Sequence, residues 1–224
     1  YGPHIFHTNS DQVWKFINQW ASFNSYVHRP KVNHKGNLYS FPINLFTLHQ
    51  IWGINTPEEA KNKLEEVRVP ISNPQNLEEW IISRVGVELY EIFIYGYTKK
   101  QWSKEPKELP SSIIKRLPIR LTHDDNYFND KYQGIPIGGY TEIFNKMLDG
   151  IQIELGVDYL TARDYWDDKA NKIVYTGAID EFFNNTYGTL EWRSLTFKEE
   201  FIENCDRQGN AIINYTEENI PFTR

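Results

Sequence analysis

The sequence has a single cysteine, a single methionine and no apolar run near the length of a membrane span, and each scarcity narrows what the chain can be. Cys205 has no partner for an internal disulfide, which points to a reducing compartment. Its neighbours Glu203 and Asp206 are carboxylates, which do not activate a thiol, so a cysteine nucleophile is disfavoured. Without a stretch of about 18 apolar residues or a signal peptide, no membrane span is expected and a cytoplasmic location is. Basic residues are the minority: 24 Lys and Arg against 30 Asp and Glu give a net charge of −6, which argues against a protein that tracks a nucleic-acid backbone. G-x-S-x-G, G-x-x-x-x-G-K-S/T and G-x-G-x-x-G are all absent, so neither a nucleophile elbow nor a phosphate-cradling turn is legible. His4 and His7 lie three apart with no third ligand beside them, so no metal centre is expected. The chain opens at Tyr1 without Met, and we expect an internal part of a longer protein.

What remains is ordinary in hydrophobicity (40%) and rich in aromatics (15%, with 7 Trp, 14 Tyr and 13 Phe). At 224 residues the chain can form one large domain or two small ones around a buried core. Val13, Phe16, Ile17 and Trp20 recur at helical spacing behind the capping candidates Asn9 and Ser10. Residues 31–41 read as a hairpin turning at His34-Lys35-Gly36-Asn37. Helices are expected over 44–52, after the capping box Thr56-Pro57-Glu58-Glu59, and after Asn76, with Gly86 as a stop, followed by a helix over 87–95 closed by Gly96. Pro106, Pro110 and Pro118 predict an ordered loop with short helical pieces over 104–119. Beyond it, a turn at 134–139, a helix over 140–148 and strands at 151–155, 172–175, 190–197 and 210–215 predict a second half of α/β character with a sheet.

The richest local segment is Tyr95-Gly96-Tyr97-Thr98-Lys99-Lys100-Gln101-Trp102. Its rings and hydroxyls suit stacking on a heterocyclic base, yet composition alone favours their being core. Arg116, Arg120 and Tyr127 nearby supply the guanidiniums and phenol that a diphosphate needs, which makes a nucleotide-sugar site conceivable.

Seven segments then carry a resemblance: Tyr-Gly-x-His-Ile-Phe-His-Thr-Asn at 1–9, Gly-Tyr-Thr-x-Lys-Gln-Trp at 96–102, Lys-Glu-Leu-Pro-x-x-Ile-Ile-Lys-Arg at 107–116, Asn-Tyr-Phe-x-Asp-x-Tyr-Gln-Gly-Ile-Pro-x-Gly-Gly-Tyr-Thr at 126–141, Tyr-Thr-Gly at 175–177, Gly-Asn-Ala-x-Ile-Asn at 209–214 and Pro-x-Thr-Arg at 221–224. Over essentially its whole length the chain resembles bacterial UDP-galactopyranose mutases. The resemblance implies an isomerase that interconverts UDP-galactopyranose and UDP-galactofuranose for galactofuranose-containing cell-surface glycans, with FAD as cofactor, its reduced N5 attacking the anomeric carbon as UDP leaves. It implies catalytic roles on the diphosphate for Arg116, on a mobile loop, and Arg224. It implies substrate contacts from Phe93 and Tyr97 to uracil and from Thr98, Trp102, Tyr127 and Asn214. Flavin contacts are implied for His7, Gly138, Gly139, Tyr159, Thr176, Gly177 and Arg193. Ile94 and His28 depart from the pattern, where some relatives carry Phe and Asn.

The implied fold is α+β with α/β parts: a helical-bundle substrate domain, part of a Rossmann-like FAD domain and an antiparallel sheet domain. The corresponding division is 1–26 for partial FAD-binding region, 27–120 for the mainly helical substrate domain with the arginine loop, and 121–224 for further FAD-binding and β-sheet structure. The intact protein is expected to be a homodimer. A flavin amine oxidase-like enzyme and a non-catalytic nucleotide-sugar-binding module remain the alternatives. Residues 1–224 alone lack the family's opening Gly-rich βαβ unit and its C-terminal segment, so they are expected to be inactive and to hold no flavin, with Arg224 frayed. A stoichiometric yellow complex, read as flavin absorbance after purification, overturns that expectation.

Overall fold

The computed structural model describes residues 4–224; Tyr1, Gly2 and Pro3 of the first motif lie outside the described residues. Helix α1 (Asp11–Ile17) is capped by Ser10, whose hydroxyl accepts from the Val13 amide. Strands β2 (Lys31–His34) and β3 (Asn37–Ser40) form the expected hairpin, with Lys35 and Gly36 at positive φ in the turn. Three helices follow, α2 (Leu45–Trp52), α3 (Pro57–Val67) and α4 (Leu77–Tyr90), each started by the side chain of Asn44, Thr56 or Asn76 accepting from backbone amides that have no helical partner.

The core lies among these helices. Leu77, Ile81, Val85 and Leu89 recur every four residues and form one buried stripe of α4. Leu45 and Leu48 of α2, Ala60 of α3, Ile43 and Val32 close over it. At Gly86 the backbone leaves helical geometry (φ +80°, ψ 175°), so the helical run begun after Asn76 breaks there as expected and a second run follows within α4; a side chain at this position would also lie 2.6 Å from the Val67 carbonyl oxygen. A correction falls at Gly96. A π-helical turn (Glu91–Tyr95) leads straight into α5 (Gly96–Trp102), and Gly96 has ordinary right-handed helical geometry. Its small size answers a tertiary demand: a Cβ would stand 2.0 Å from the Thr216 carbonyl oxygen.

The proline-marked segment forms a 3-10 turn (Pro106–Glu108) and the short helix α6 (Ser112–Lys115), as expected. It is held at both ends, by Leu77 donating to the Leu109 carbonyl and Arg120 donating to that of Ile43. Strand β4 (Tyr132–Gly134) pairs antiparallel with β1 (Phe6–Thr8), and α7 (Tyr140–Met147) follows two glycines. Near the end, β5 (Ile213–Tyr215) runs parallel to β2 and completes a three-stranded sheet in the order β3-β2-β5. The architecture is mixed α+β with small antiparallel and mixed sheets.

The second half departs most from expectation. Among the described residues no strand forms at 151–155, 172–175 or 190–197, and the strand expected over 210–215 shortens to β5. Apolar alternation makes a strand only where a neighbour pairs its amides and carbonyls. These segments have none, and Leu155 and Val174 stand 90% and 87% exposed. The helical structure between them is two short helices, α8 (Arg163–Asp167) and α9 (Ile179–Phe182), and a 3-10 turn (Tyr159–Ala162).

Gly96→Ala separates the two demands on this glycine. Helix propensity alone favours Ala by about 1 kcal/mol. Overpacking against the Thr216 carbonyl costs about 1–3 kcal/mol, so the substitution should lower the urea midpoint; a raised midpoint contradicts the packing.

Candidate functional site

Helix α5 brings three parts of the chain together. Gly96 and Lys100 lie one turn apart on the face that meets residues 213–222. The Lys100 ammonium donates to the carbonyls of Tyr215 (2.8 Å), Ile220 (3.1 Å) and Phe222 (2.9 Å), and its burial holds its pKa below the usual lysine range. The segment turns back on itself, the Tyr215 amide donating to the Thr223 carbonyl. Arg224 therefore returns to α5, where its guanidinium donates to the Tyr97 hydroxyl at 2.7 Å. Arg224 is not frayed: this bond, 127 residues apart in sequence, fixes its head group.

Beside Arg224 lies His28, 5% exposed, just before β2. Its Nδ1 is hydrogen-bonded to the Tyr26 hydroxyl at 3.1 Å, its amide donates to Gln133 Oε1, and its carbonyl accepts from the Tyr127 amide. The edges of Tyr127 and Phe128 border its imidazole. Burial first, and then the Arg224 charge, push the His28 pKa down to about 4, so the ring is neutral at pH 7. Phe128 also stacks on His7 with centroids 3.8 Å apart, and His7 Nδ1 donates to Asp130, whose other oxygen accepts from the Asn9 amide. The loop carrying Tyr127 and Phe128 is held by Arg120, which donates to the Asn126 carbonyl and to Asn129, and by Asp125, paired with Arg29 and Lys31.

Contact by contact these groups form the site face: a guanidinium and phenol, then a nearly buried neutral imidazole bordered by two rings, then an imidazole–carboxylate pair. Together they can neutralise a polyanion, stack flat groups and hydrogen-bond at the exposed His7.

The other candidates fall elsewhere. Phe93 is 2% exposed, packed between Tyr39 and Phe41, and Ile94 is buried beside it. Thr98 is buried on α5 and Trp102 leans on the core. Asn214 is on β5 opposite Val32. Arg116 ends α6, exposed, and its guanidinium has no bonded partner among the described residues. Gly138 and Gly139 adopt φ +88° and +86° at the start of α7, with nothing within 4 Å of where a side chain would begin. Tyr140, next in line, donates to the His4 carbonyl, which keeps this turn near β1 and His7. Tyr159 packs with Tyr175 and Phe182 and donates to Asp167, with Thr176 and Gly177 beside Tyr175. Arg193 donates to the Trp102 carbonyl. Arg120, named in sequence for a diphosphate, is a loop staple. The sequence reading did not single out Tyr26, Lys100, Phe128 or Asp130 for the face, although all but Tyr26 lie in segments that it quoted. Among the described residues no three His, Cys, Asp or Glu side chains gather as a metal site, and no helix is long and apolar enough to cross a membrane.

Residues 92–224 match the family model described as GLF: UDP-galactopyranose mutase. Among relatives, the chain is 44% identical over its full length to a probable UDP-galactopyranose mutase of Klebsiella pneumoniae, covering 58% of that protein. It is 42% identical, again over its full length, to a dTDP-fucopyranose mutase of Escherichia coli, covering 61% of it. Identity to a UDP-galactopyranose mutase of Mycoplasma genitalium is 31%, with 96% of this chain and 57% of the relative covered. The chain thus spans about three-fifths of the length of these curated relatives.

A neutral buried histidine has a pH signature. Its folded-state pKa lies below the unfolded value near 6.5, so His28 favours folding above pH 6.5 and opposes it increasingly as pH falls towards 4. His28→Asn should flatten this acid limb, by on the order of 2 kcal/mol between those pH values. Parallel urea titrations check it; identical limbs in both proteins contradict a buried neutral His28.

Proposed function

Because the chain belongs to the UDP-galactopyranose mutase family, we propose that the whole protein is an isomerase that interconverts the pyranose and furanose forms of a nucleotide-linked sugar, with UDP-galactopyranose and UDP-galactofuranose as the pair. The observation that carries this reading is the Arg224–Tyr97 bond beside His28 and Tyr127, a cation and rings drawn from four distant parts of the chain onto one face. In this reading Tyr97, with Phe93 behind it, faces the uracil. Thr98, Trp102, Tyr127 and Asn214 contact the rest of the nucleotide-sugar.

The cofactor in this proposal is FAD. His7, exposed and stacked on Phe128, offers a flat surface for an isoalloxazine, and the open Gly138–Gly139 turn before α7 leaves room for a close approach. Tyr159, Thr176, Gly177 and Arg193 belong to the same proposal. Reduced flavin, when bound, supplies the nucleophile for the anomeric carbon. The chain's own part is electrostatic and positional. As the anomeric bond breaks, negative charge grows on the diphosphate, so Arg224 and Arg116 stabilise the transition state more than the ground state. His28, neutral beside Arg224, adds hydrogen bonding without a competing charge. The division into 1–26, 27–120 and 121–224, the homodimer, the cytoplasmic location and a role in galactofuranose-containing glycans complete the reading.

The near-equal identity to a dTDP-fucopyranose mutase favours a second substrate pair, the pyranose and furanose forms of dTDP-fucose, on the same site. The test gives each nucleotide-sugar to the intact protein with chemically reduced FAD and follows furanose formation by chromatography. Binding without isomerisation of either sugar favours a non-catalytic module. In the active enzyme, Arg116→Ala should lower kcat by about a hundredfold or more; near wild-type turnover removes Arg116 from the mechanism.

A further inference from the structure

We infer that Lys100 is a positioning residue of this site: its ammonium, bound to three carbonyls, fixes the segment that follows β5 so that Arg224 stands where the nucleotide-sugar needs it. The inference rests on the reading of the site as one for a nucleotide-sugar. An ammonium has three N–H donors, and Lys100 uses all three on one segment, at Tyr215, Ile220 and Phe222. That segment has little regular structure of its own to hold it. Only three of its residues are in β5, and the Tyr215–Thr223 and Ile220–Glu217 amide bonds are the other backbone ties within it.

The three carbonyls bracket the turn at 216–219, and the last lies two residues before Arg224. The neighbouring grip is weaker. Lys99 bonds Glu218 at 2.8 Å and Glu105 at 2.9 Å, but this network is at the surface, where ion pairs contribute little. Gly96 admits the Thr216 carbonyl against α5 but supplies no attraction beyond contact. Lys100 is half-buried and binds carbonyls for which no other donor is found among the described residues. On α5 it follows Tyr97 by three residues, so one helix holds both the clamp on the segment and the phenol that receives its arginine.

The experiment uses the intact protein and measures UDP binding, with dTDP in parallel, by titration calorimetry, together with steady-state kinetics. Lys100→Met should weaken UDP binding about tenfold and raise KM, and amide hydrogen exchange over 213–224 should quicken while exchange in α4 is unchanged. Combined with Arg224→Ala, which removes the group being positioned, Lys100→Met should cost little further affinity. Lys100→Arg keeps the charge but spreads its donors over a planar fork, so it should fall between wild type and Met. It also carries the same cycle if the Met variant does not fold. Losses that multiply in the double variant, or Lys100 variants that bind UDP as wild type does, overturn the positioning role and leave the site standing. A wild-type protein that binds neither UDP nor dTDP overturns the site reading and this inference with it.

Discussion

The architecture of the site depends on the seating of residues 213–224 against α5. Two residues one helical turn apart make it possible, Gly96 by having no side chain and Lys100 by satisfying three carbonyls at once. Two of the three bonds are part-buried and the third is at the surface, so what the ammonium supplies is mainly geometry, three donors converging on one turn, with a net contribution of about 1 kcal/mol for each bond. With the segment seated, β5 finds β2, Thr216 finds His34, and Arg224 finds Tyr97. The sheet that orders the entrance of the chain at β2 is therefore completed by its far end.

A second constraint concerns buried polarity. Asn44 is fully buried, yet every polar atom of its side chain is used: the oxygen accepts from Phe46 and Thr47 and the amide donates to Ser40 and to the Pro42 carbonyl. It fixes the start of α2 from inside the core. His28 is buried differently. Its backbone is tied to Gln133 and Tyr127, and among the described residues its ring is hydrogen-bonded at Nδ1, to the Tyr26 hydroxyl. A neutral imidazole next to Arg224 is a stable arrangement because a second cation there would be both desolvated and repelled.

The first half of the fold is legible residue by residue because its signals are local. Ser10, Asn44, Thr56 and Asn76 cap helices within three residues of themselves, and the apolar stripe of α4 needs only periodicity. Gly86 interrupts its helix as its sequence context predicts, but Gly96 does not close one: a glycine that ends a helix and one that admits another backbone look the same in sequence, and the deciding atom at Gly96 is the Thr216 carbonyl oxygen. The strands expected at 151–155, 172–175 and 190–197 do not form for the complementary reason, since apolar alternation says nothing about a partner, whereas 213–215 finds one in β2. In the site, motif residues such as Tyr97, Tyr127 and Arg224 were legible through resemblance. The contacts that organise them, Lys100 to three carbonyls and Asp130 to His7, are long-range, and the local Tyr26–His28 bond has no recognisable motif, so none leaves a periodic trace.

The two arginines stand in contrasting states, and the contrast bears on how such a site divides its labour. Arg224 is held by Tyr97 on a clamped segment, so little of its rotamer freedom remains to be lost when an anion arrives. Arg116 is exposed at the end of a four-residue helix whose Ile114 is buried in the core, within a segment tied at Leu109 and Arg120, so it is the side chain and not the loop that has freedom to lose. Ordering it costs about 1–2 kcal/mol of side-chain entropy, which only a strong, charge-assisted bond offsets. A pre-placed cation suits recognition, because it favours the ligand in every state. A cation that is ordered only when charge is concentrated in front of it favours the state in which that charge is greatest. In the proposed site, Arg224 would on this argument set affinity and Arg116 would add selectivity for the transition state, its exposed head group being ordered while the backbone beneath it stays anchored through Ile114.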